Sequence, residues 1–418
     1  MSAPTCDRGD HFPRPAFLDR PLASLHMLLV AAGLLAVIGV VMVLSASSVV
    51  SYTSTGSAFD IVGRQLLWVA IGLPLAWVGA RISPRTYRRL AHPALLIAVV
   101  GLVAVLVPGV GILFQGGRRW IDLGPLQLQP SEPAKLALAI WGADLLVRKQ
   151  KSLSRWRHLL IPLVPVALLL CGLVVIEPDL GTTLCLLLVL LGLLWTVGAP
   201  LRLFCAVLVA AAGFVTLMII KEPWRVARVV SFAHPFQDRT DHGFQAAQGI
   251  SALATGGWFG DGLGGSKFKY GLLPNAHTDY IFAILGEELG LVGCLVVLGL
   301  FAVLAYAGLR IARCAVDPFV RLTTGAVTVW IVGQAMINIG YVVGMLPVTG
   351  IPLPLISFGG TSLVLTMFTV GMLASFARHE PAAAYALRDR GRIARLLRLP
   401  APNLPERNPD RLVGRAAR

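Results

Sequence analysis

The chain is poor in charge. Only 14% of its 418 residues are Asp, Glu, Lys or Arg, against 56% hydrophobic, and soluble domains of this length are not built that way. The six cysteines include no CxxC pair and no ligand spacing, which excludes a secreted disulfide scaffold and gives no metal site. Cys6 lies in the N-terminal segment, while Cys171, Cys185, Cys205, Cys294 and Cys314 sit in or at the end of apolar runs and read as small core residues without a disulfide role. The one glycine-rich run, 256–265, has no preceding strand and no βαβ unit around it, which argues against a dinucleotide site. The polar, Pro-bearing N-terminal segment lacks the short apolar core and small-residue cleavage site of a signal peptide, so the first apolar run is expected to be an uncleaved anchor.

What the chain does have is long apolar runs, which raise the mean hydropathy to +0.75. Ten stretches approach or exceed the ~18 apolar residues that cross a bilayer. They run from about Met27 to Leu44, Leu66 to Ala80, Ala94 to Val107 or on to Leu113, Ala134 to Val147, Leu159 to Ile176, Thr182 to Gly198, Leu203 to Ile220, Tyr280 to Val303, Thr323 to Val343 and Ser362 to Ala377. The expected fold is therefore an all-α polytopic membrane protein of ten transmembrane helices. Residues 1–25 precede them, 26–378 form the transmembrane domain and 379–418 are a basic tail.

The net charge of +15 would suggest nucleic acid in a soluble protein, but here the basic residues fill the gaps between apolar runs. Arg81, Arg85, Arg88 and Arg89 follow the second span, Arg148, Lys149, Lys151, Arg155 and Arg157 the fourth, and Arg310, Arg313 and Arg321 the eighth. The alternate connections 48–62, 177–181 and 346–360 hold no Lys or Arg. Positive charge stays inside, so both termini are expected in the cytoplasm and a large extracytoplasmic loop, 222–279, between the seventh and eighth spans. The basic tail either completes that pattern as a solvated extension or rests on anionic lipid. Two outer stretches oppose the rule: Arg118 and Arg119 in a short loop, and Arg225, Arg228, Arg239, Lys267 and Lys269 in the long one.

Five constellations carry polar chemistry in this apolar setting. In Gly117 to Lys135, Ser131 before Glu132 and Pro133 reads as a helix cap, and Glu132 and Lys135 lie on one helix face and can pair. Arg118 and Arg119 are natural forks for a membrane-bound phosphate. Glu177-Pro178-Asp179 is a tight reversal and helix cap. In the long loop, Gln245 and Gln248 precede the glycine run, whose backbone is suited to close approach to a ligand or the membrane surface; Lys267 and Lys269 follow it and suit an anion. In Leu273 to Gly290, Thr278 or Asp279 either caps the next helix, or Asp279, beside His277 at the outer boundary, is a general base. Glu287 and Glu288 lie deeper and need a partner, for which Lys135 or a loop arginine is the candidate. The fifth is Asn338 to Tyr341 and then Leu346 to Ser362 with Ser357, which has too many prolines and glycines for a lipid-facing helix and must line a cavity or pack against protein.

These residues resemble the SEDS family of polytopic membrane glycosyltransferases. The likeness runs from SASS at 45–48 and Arg64-Gln65 through RRWIDLGPLQLQPSEPAK, EPDLGTT, GFQAAQG and LPNAHTDYIFAILGEELG to LPVTGIPLPLISFGGTS, covering about 45 to 378. The SASS run and the GTS after the second glycine look more like the family's division branch than its elongation branch. The resemblance implies polymerisation of lipid II into peptidoglycan glycan strands at the outer face of the cytoplasmic membrane. The implied partners are undecaprenyl-diphosphate-linked glycan, a class B penicillin-binding protein of the FtsI type, other divisome proteins and membrane lipid, with no nucleic acid. It makes Asp279 the essential acid, with Arg119, Arg225, Arg228 and Lys267 offsetting diphosphate charge; a divalent cation, Mg or Mn, is left open. Asn275 stands where many members have Glu, His234 where Asp is frequent before proline, Gly117 where Ala is usual and Phe358 where Tyr is usual. Competing readings are a lipid II flippase, an elongation-type polymerase and a non-catalytic scaffold.

Overall fold

The computed structural model describes residues 20–114, 117–122, 124, 127–150, 160–233, 235–236 and 241–389. Most of the N-terminal segment and the basic tail from 390 onward, with Arg239 of the long loop, lie outside them. The helices are α1 (Ala23–Thr55), α2 (Asp60–Arg81), α3 (Pro84–Arg89), α4 (Ala91–Leu106), α5 (Ser131–Arg148), α6 (Leu163–Ile176) and α7 (Leu180–Val197). They continue with α8 (Leu201–Ile220), α9 (Pro223–Ala233), α10 (Asp241–Gly256), α11 (Ile281–Cys314), α12 (Pro318–Val342), α13 (Gly360–Arg378) and α14 (Pro381–Asp389). Each of the ten spans expected from hydropathy falls on one of these helices. Seven of them, α1, α2, α7, α8, α11, α12 and α13, are long and apolar enough to cross a membrane. Of the other three, α4 and α6 are apolar but shorter, and α5 carries Glu132, Lys135, Asp144 and Arg148.

Burial ranks the helices. α5 is buried along 14 of its 18 residues, and α4, α7 and α12 are its main partners in the core. α8 has no buried residue and presents an apolar surface all round, as a helix facing lipid does. α2 lies along α13 with almost no side-chain layer between them. A Cβ on Gly371 would stand 2.0 Å from the Ala76 carbonyl oxygen, and one on Gly79 2.8 Å from that of Phe368. Small residues let backbones approach where lipid supplies no hydrophobic drive for helices to associate.

One feature was absent from the hydropathy reading. Helix α4 stops at Leu106, and the chain then forms a three-stranded antiparallel sheet, β1 (Gly111–Phe114), β2 (Gly117–Asp122) and β3 (Gln127–Leu128). Ile112 pairs with Trp120 and Leu113 with Arg118 across a bulge. The third span therefore does not reach Leu113 as a helix. Four to six residues are too few to give a period, and this strand pair is legible only once α4 and α5 bracket it.

The cysteines divide differently from the expectation. Cys171, Cys185 and Cys294 are buried free thiols, but Cys205 is exposed on α8 and Cys314 is disulfide-bonded.

Candidate functional site

The loop from Leu273 to Tyr280 is held from several sides. Asn275 adopts a left-handed conformation, φ 55°, which asparagine tolerates better than longer acids. Its carbonyl accepts hydrogen bonds from the backbone amides of Thr278 at 3.1 Å and Tyr280 at 3.3 Å. Helix α11 starts after Tyr280 with no side-chain cap, so neither Thr278 nor Asp279 serves as the cap that was one of their two readings. The Thr278 hydroxyl instead donates to the Asn275 carbonyl.

Asp279 is half-buried, and its backbone is clamped. The Asn338 amide and the Tyr341 hydroxyl, both on α12, lie 3.0 Å from its carbonyl oxygen. The same two groups each lie 2.8 Å from the Ile351 carbonyl, so the Asp279 loop and the 346–360 segment are pinned at one point. The Phe358 amide donates to the His277 carbonyl at 3.0 Å, and the two rings pack edge to face. A Cβ added to Gly350 would stand 3.7 Å from Asp279 Oδ2. The proline-rich segment packs against protein, as expected, with Ile351, Leu353, Leu355 and Ile356 all buried.

The reversal between α6 and α7 abuts this segment. A Cβ on Gly181 would meet the Ile351 side chain at 2.7 Å and the Thr349 carbonyl at 3.0 Å. Asp179 caps α7, accepting from the Thr182 amide at 2.9 Å and the Thr182 hydroxyl at 2.7 Å, and Gln129 donates to it at 3.0 Å. Arg119, on β2, donates from Nε to the Glu177 carbonyl at 2.9 Å and from Nη2 to the Pro178 carbonyl at 2.7 Å. Those two donors thus tie the sheet to the turn. Ser131 is the first residue of α5 rather than its cap, a position held by Pro130. Glu132 and Lys135 pair at 2.8 Å, both buried, with the ammonium over the Trp330 ring.

The deeper acids have partners other than those expected. Glu287 accepts from the Ser266 hydroxyl and from the Lys267 amide at 2.7 Å. Glu288 accepts from the Ser45 hydroxyl and lies 3.5 Å from Lys269 Nζ. Neither Lys135 nor a loop arginine is that partner. The glycine run explains the exchange, because α11 breaks at Gly290, φ 65° and ψ −166°, and loop backbone fills the break. The Leu291 and Val292 amides donate to the Gly257 and Trp258 carbonyls, and the Asp261 and Gly262 amides to those of Glu287 and Glu288. A Cβ on Gly290 would stand 2.5 Å from the Gly260 nitrogen. The glycines serve close backbone approach to a helix break.

The remaining nominated residues scatter. Arg118 is half-buried on β2, and Gln245 and Gln248 are half-buried on α10, which packs against Tyr280 through Gly249. Lys267 is exposed and 3.9 Å from Asp261. The Ser357 hydroxyl accepts from the Leu353 amide at 2.8 Å. Arg225 and Arg228 lie on α9, but their side chains are outside what is described. Among the described residues no group of three or more His, Cys, Asp and Glu side chains is arranged to hold a metal. Sequence pattern alone does not distinguish Asn338, Tyr341 and Lys269 from their neighbours in these polar stretches; only contacts across the fold single them out.

Burial sets the electrostatics outside the spans. It lowers the His277 pKa, which keeps the ring neutral. Glu177 is buried with its carboxyl oxygens unpartnered, and desolvation, reinforced by Asp179 and opposed by Arg119, pushes its pKa up to about 9.

The profile of the FtsW/RodA/SpoVE family, described as "Cell cycle protein", matches residues 25–382. "Probable peptidoglycan glycosyltransferase FtsW" of Mycobacterium tuberculosis is 50% identical over 397 residues, 94% of this chain and 76% of that one. "Stage V sporulation protein E" of Bacillus subtilis is 37% identical over 85% of this chain and 97% of its own. Among solved structures, a chain of the complex described as "Structural coordination of polymerization and crosslinking by a peptidoglycan synthase complex" superposes with a TM-score of 0.71 at 29% identity, covering 84% of this chain and 96% of that one. Rod shape determining protein RodA of Thermus thermophilus superposes at 0.64 and 27% identity, covering 84% and 96%.

Proposed function

The chain belongs to the FtsW/RodA/SpoVE family, and from that premise we propose that it is a peptidoglycan glycosyltransferase that polymerises lipid II at the outer face of the cytoplasmic membrane for division. The 50% identity to an FtsW over 94% of the chain, against 27% to RodA, supports division duty over elongation. The likeness to a chain of a peptidoglycan synthase complex supports work beside a class B penicillin-binding protein. The ten helices that coincide with the ten apolar runs support ten crossings with both termini cytoplasmic. In that reading 26–378 is the catalytic membrane domain, 222–279 its outer loop and 379–418 a cytoplasmic tail. α4, at 16 residues, is about 24 Å long, and the outer sheet extends it toward the membrane surface.

In the proposed mechanism Asp279 is the general base. Its carboxylate takes the proton of the acceptor sugar hydroxyl, whose oxygen forms a bond to the donor's anomeric carbon as the bond from that carbon to the diphosphate oxygen breaks. The electron pair leaves with undecaprenyl diphosphate. One displacement with inversion needs one base. Arg118, Arg225, Arg228 and Lys267 supply positive charge on the outer side to offset the leaving diphosphate. The remaining nitrogen of Arg119, whose other donors hold the turn, adds to it, and Gln245, Gln248 and His277 contribute to substrate binding. The single observation that carries this reading is the Asp279 loop: a half-buried carboxylate that caps no helix, on a backbone clamped by Asn338 and Tyr341.

Purified with its class B partner and given labelled lipid II, the wild type is expected to make polymer and Asp279→Asn to fall at least ~100-fold, as loss of a general base does. Equal polymer from an equally stable variant would remove Asp279 from the chemistry. Lipid II crossing liposomes without polymer would favour a flippase.

A further inference from the structure

At the end of the molecule opposite the Asp279 loop, four arginines from two elements converge on one cavity of about 370 Å3, lined by Arg85, Arg88 and Arg89 of α3 and Arg148 of α5. We propose that this cavity binds the phosphate of an anionic phospholipid headgroup.

Guanidiniums repel one another unless something holds them, and among the described residues a single acid does so here. Asp144, with no exposed surface, lies 2.7 Å from Arg88 Nε and 2.8 Å from Arg148 Nε, and 3.9 Å from His92 Nδ1. One carboxylate against four guanidiniums leaves an excess of three positive charges, 4 − 1, at the cavity. Both short contacts use Nε, the nitrogen nearest the stem, so Asp144 steadies the two forks from beneath. The rest of the frame is rigid. Ser83 caps α3 by accepting from the Thr86 amide, Pro84 opens it, and the buried Tyr87 hydroxyl donates to the Gly79 carbonyl at 2.8 Å. Arg85, Arg88 and Arg89 therefore share one face at helical spacing.

The depth suits a lipid. Arg81 stacks over Trp77 at 4.5 Å, a pair typical of the headgroup belt. The first turns of α4 lead from His92 to Leu96, Ile97, Val100 and Val103, all exposed, an apolar face along which acyl chains can lie. Charges that only orient insertion need no buried carboxylate and no convergence. Phosphate held between arginine forks does need the convergence, and Asp144 holds two of the forks in place. The leaflet, but not the binding, rests on the topology proposed above.

The test uses the full-length protein in detergent, titrated with phosphatidylglycerol or phosphatidylcholine and read by native mass spectrometry, so that neither sidedness nor activity enters. Wild type is expected to retain phosphatidylglycerol about tenfold or more over phosphatidylcholine. Arg85→Gln/Arg89→Gln, two rim residues that leave the Asp144 pairs intact, is expected to abolish the preference, about what two interfacial arginines contribute. The single variant Arg89→Gln is expected to lose part of it and serves if the double variant is unstable. Equal retention of the two lipids, a preference unchanged in either variant, or displacement of phosphatidylglycerol by millimolar inorganic phosphate would overturn the proposal, the last in favour of a free-anion site.

Discussion

At the scale of the residue, acids separate by what surrounds them. Asp179 is consumed by a helix cap, Glu288 by a lysine, and Glu177 by nothing the fold describes, so its proton stays on. For Glu177 the consequence is a pH dependence of stability with a definite sign. Below its ordinary value of 4.5 the carboxyl is protonated in both folded and unfolded chains, and it costs nothing. Between there and about 9 only the unfolded chain has released the proton, so the folded state loses stability as pH rises, and above that the loss is complete. Glu177→Gln is expected to flatten the decline in melting temperature across pH 5 to 9 (about the window between the two values), measured in detergent. Parallel curves for the two proteins would mean that the carboxylate is solvated in the fold.

At the scale of the element, hydropathy located helices well because a span must satisfy its own backbone and show an apolar surface. It was blind to contacts set by what is missing from a side chain. The α2 and α13 pair depends on Gly79 and Gly371, where an added methyl collides with facing backbone. Gly371→Val is expected to cost about 1–3 kcal/mol, the range for forcing extra volume into a packed contact, and Gly371→Ala less. Thermal unfolding of the purified protein would check this, and an unchanged Gly371→Val would mean that the two helices slide apart freely. The three-stranded sheet belongs at this scale too, since its short strands have no signal of their own.

At the scale of the whole molecule, the stretch 257–269 and the helix bundle are one body because the backbone of that stretch completes the break in α11 and Lys269 neutralises Glu288. Both partners are nearly inaccessible, 4% and 0%. Removing one charge leaves the other buried and uncompensated, so Lys269→Met is expected to destabilise by about 3–5 kcal/mol. Lys269→Met with Glu288→Gln is expected to recover most of that, and hydrogen exchange of 257–280 should rise in the single variant and fall back in the double. Additive losses would dissolve the pair.

Class, helices and the stretches that matter are legible in the chain alone, because apolar length, charge alternation and ordered motifs are local properties. The sequence singled out Asp279 by resemblance and left it open between cap and base. Only the tertiary structure removed the cap, by starting α11 one residue later, and fixed the Asp279 backbone carbonyl in a frame made of Asn338, Tyr341 and Ile351, 59 to 72 positions away. It also showed Arg119 tied to two backbone carbonyls and Ser357 to a backbone amide, and gave Glu288 Lys269 as its counter-ion in place of Lys135 or a loop arginine. Pairing of this kind depends on which helix faces meet, and no spacing along one chain segment contains that.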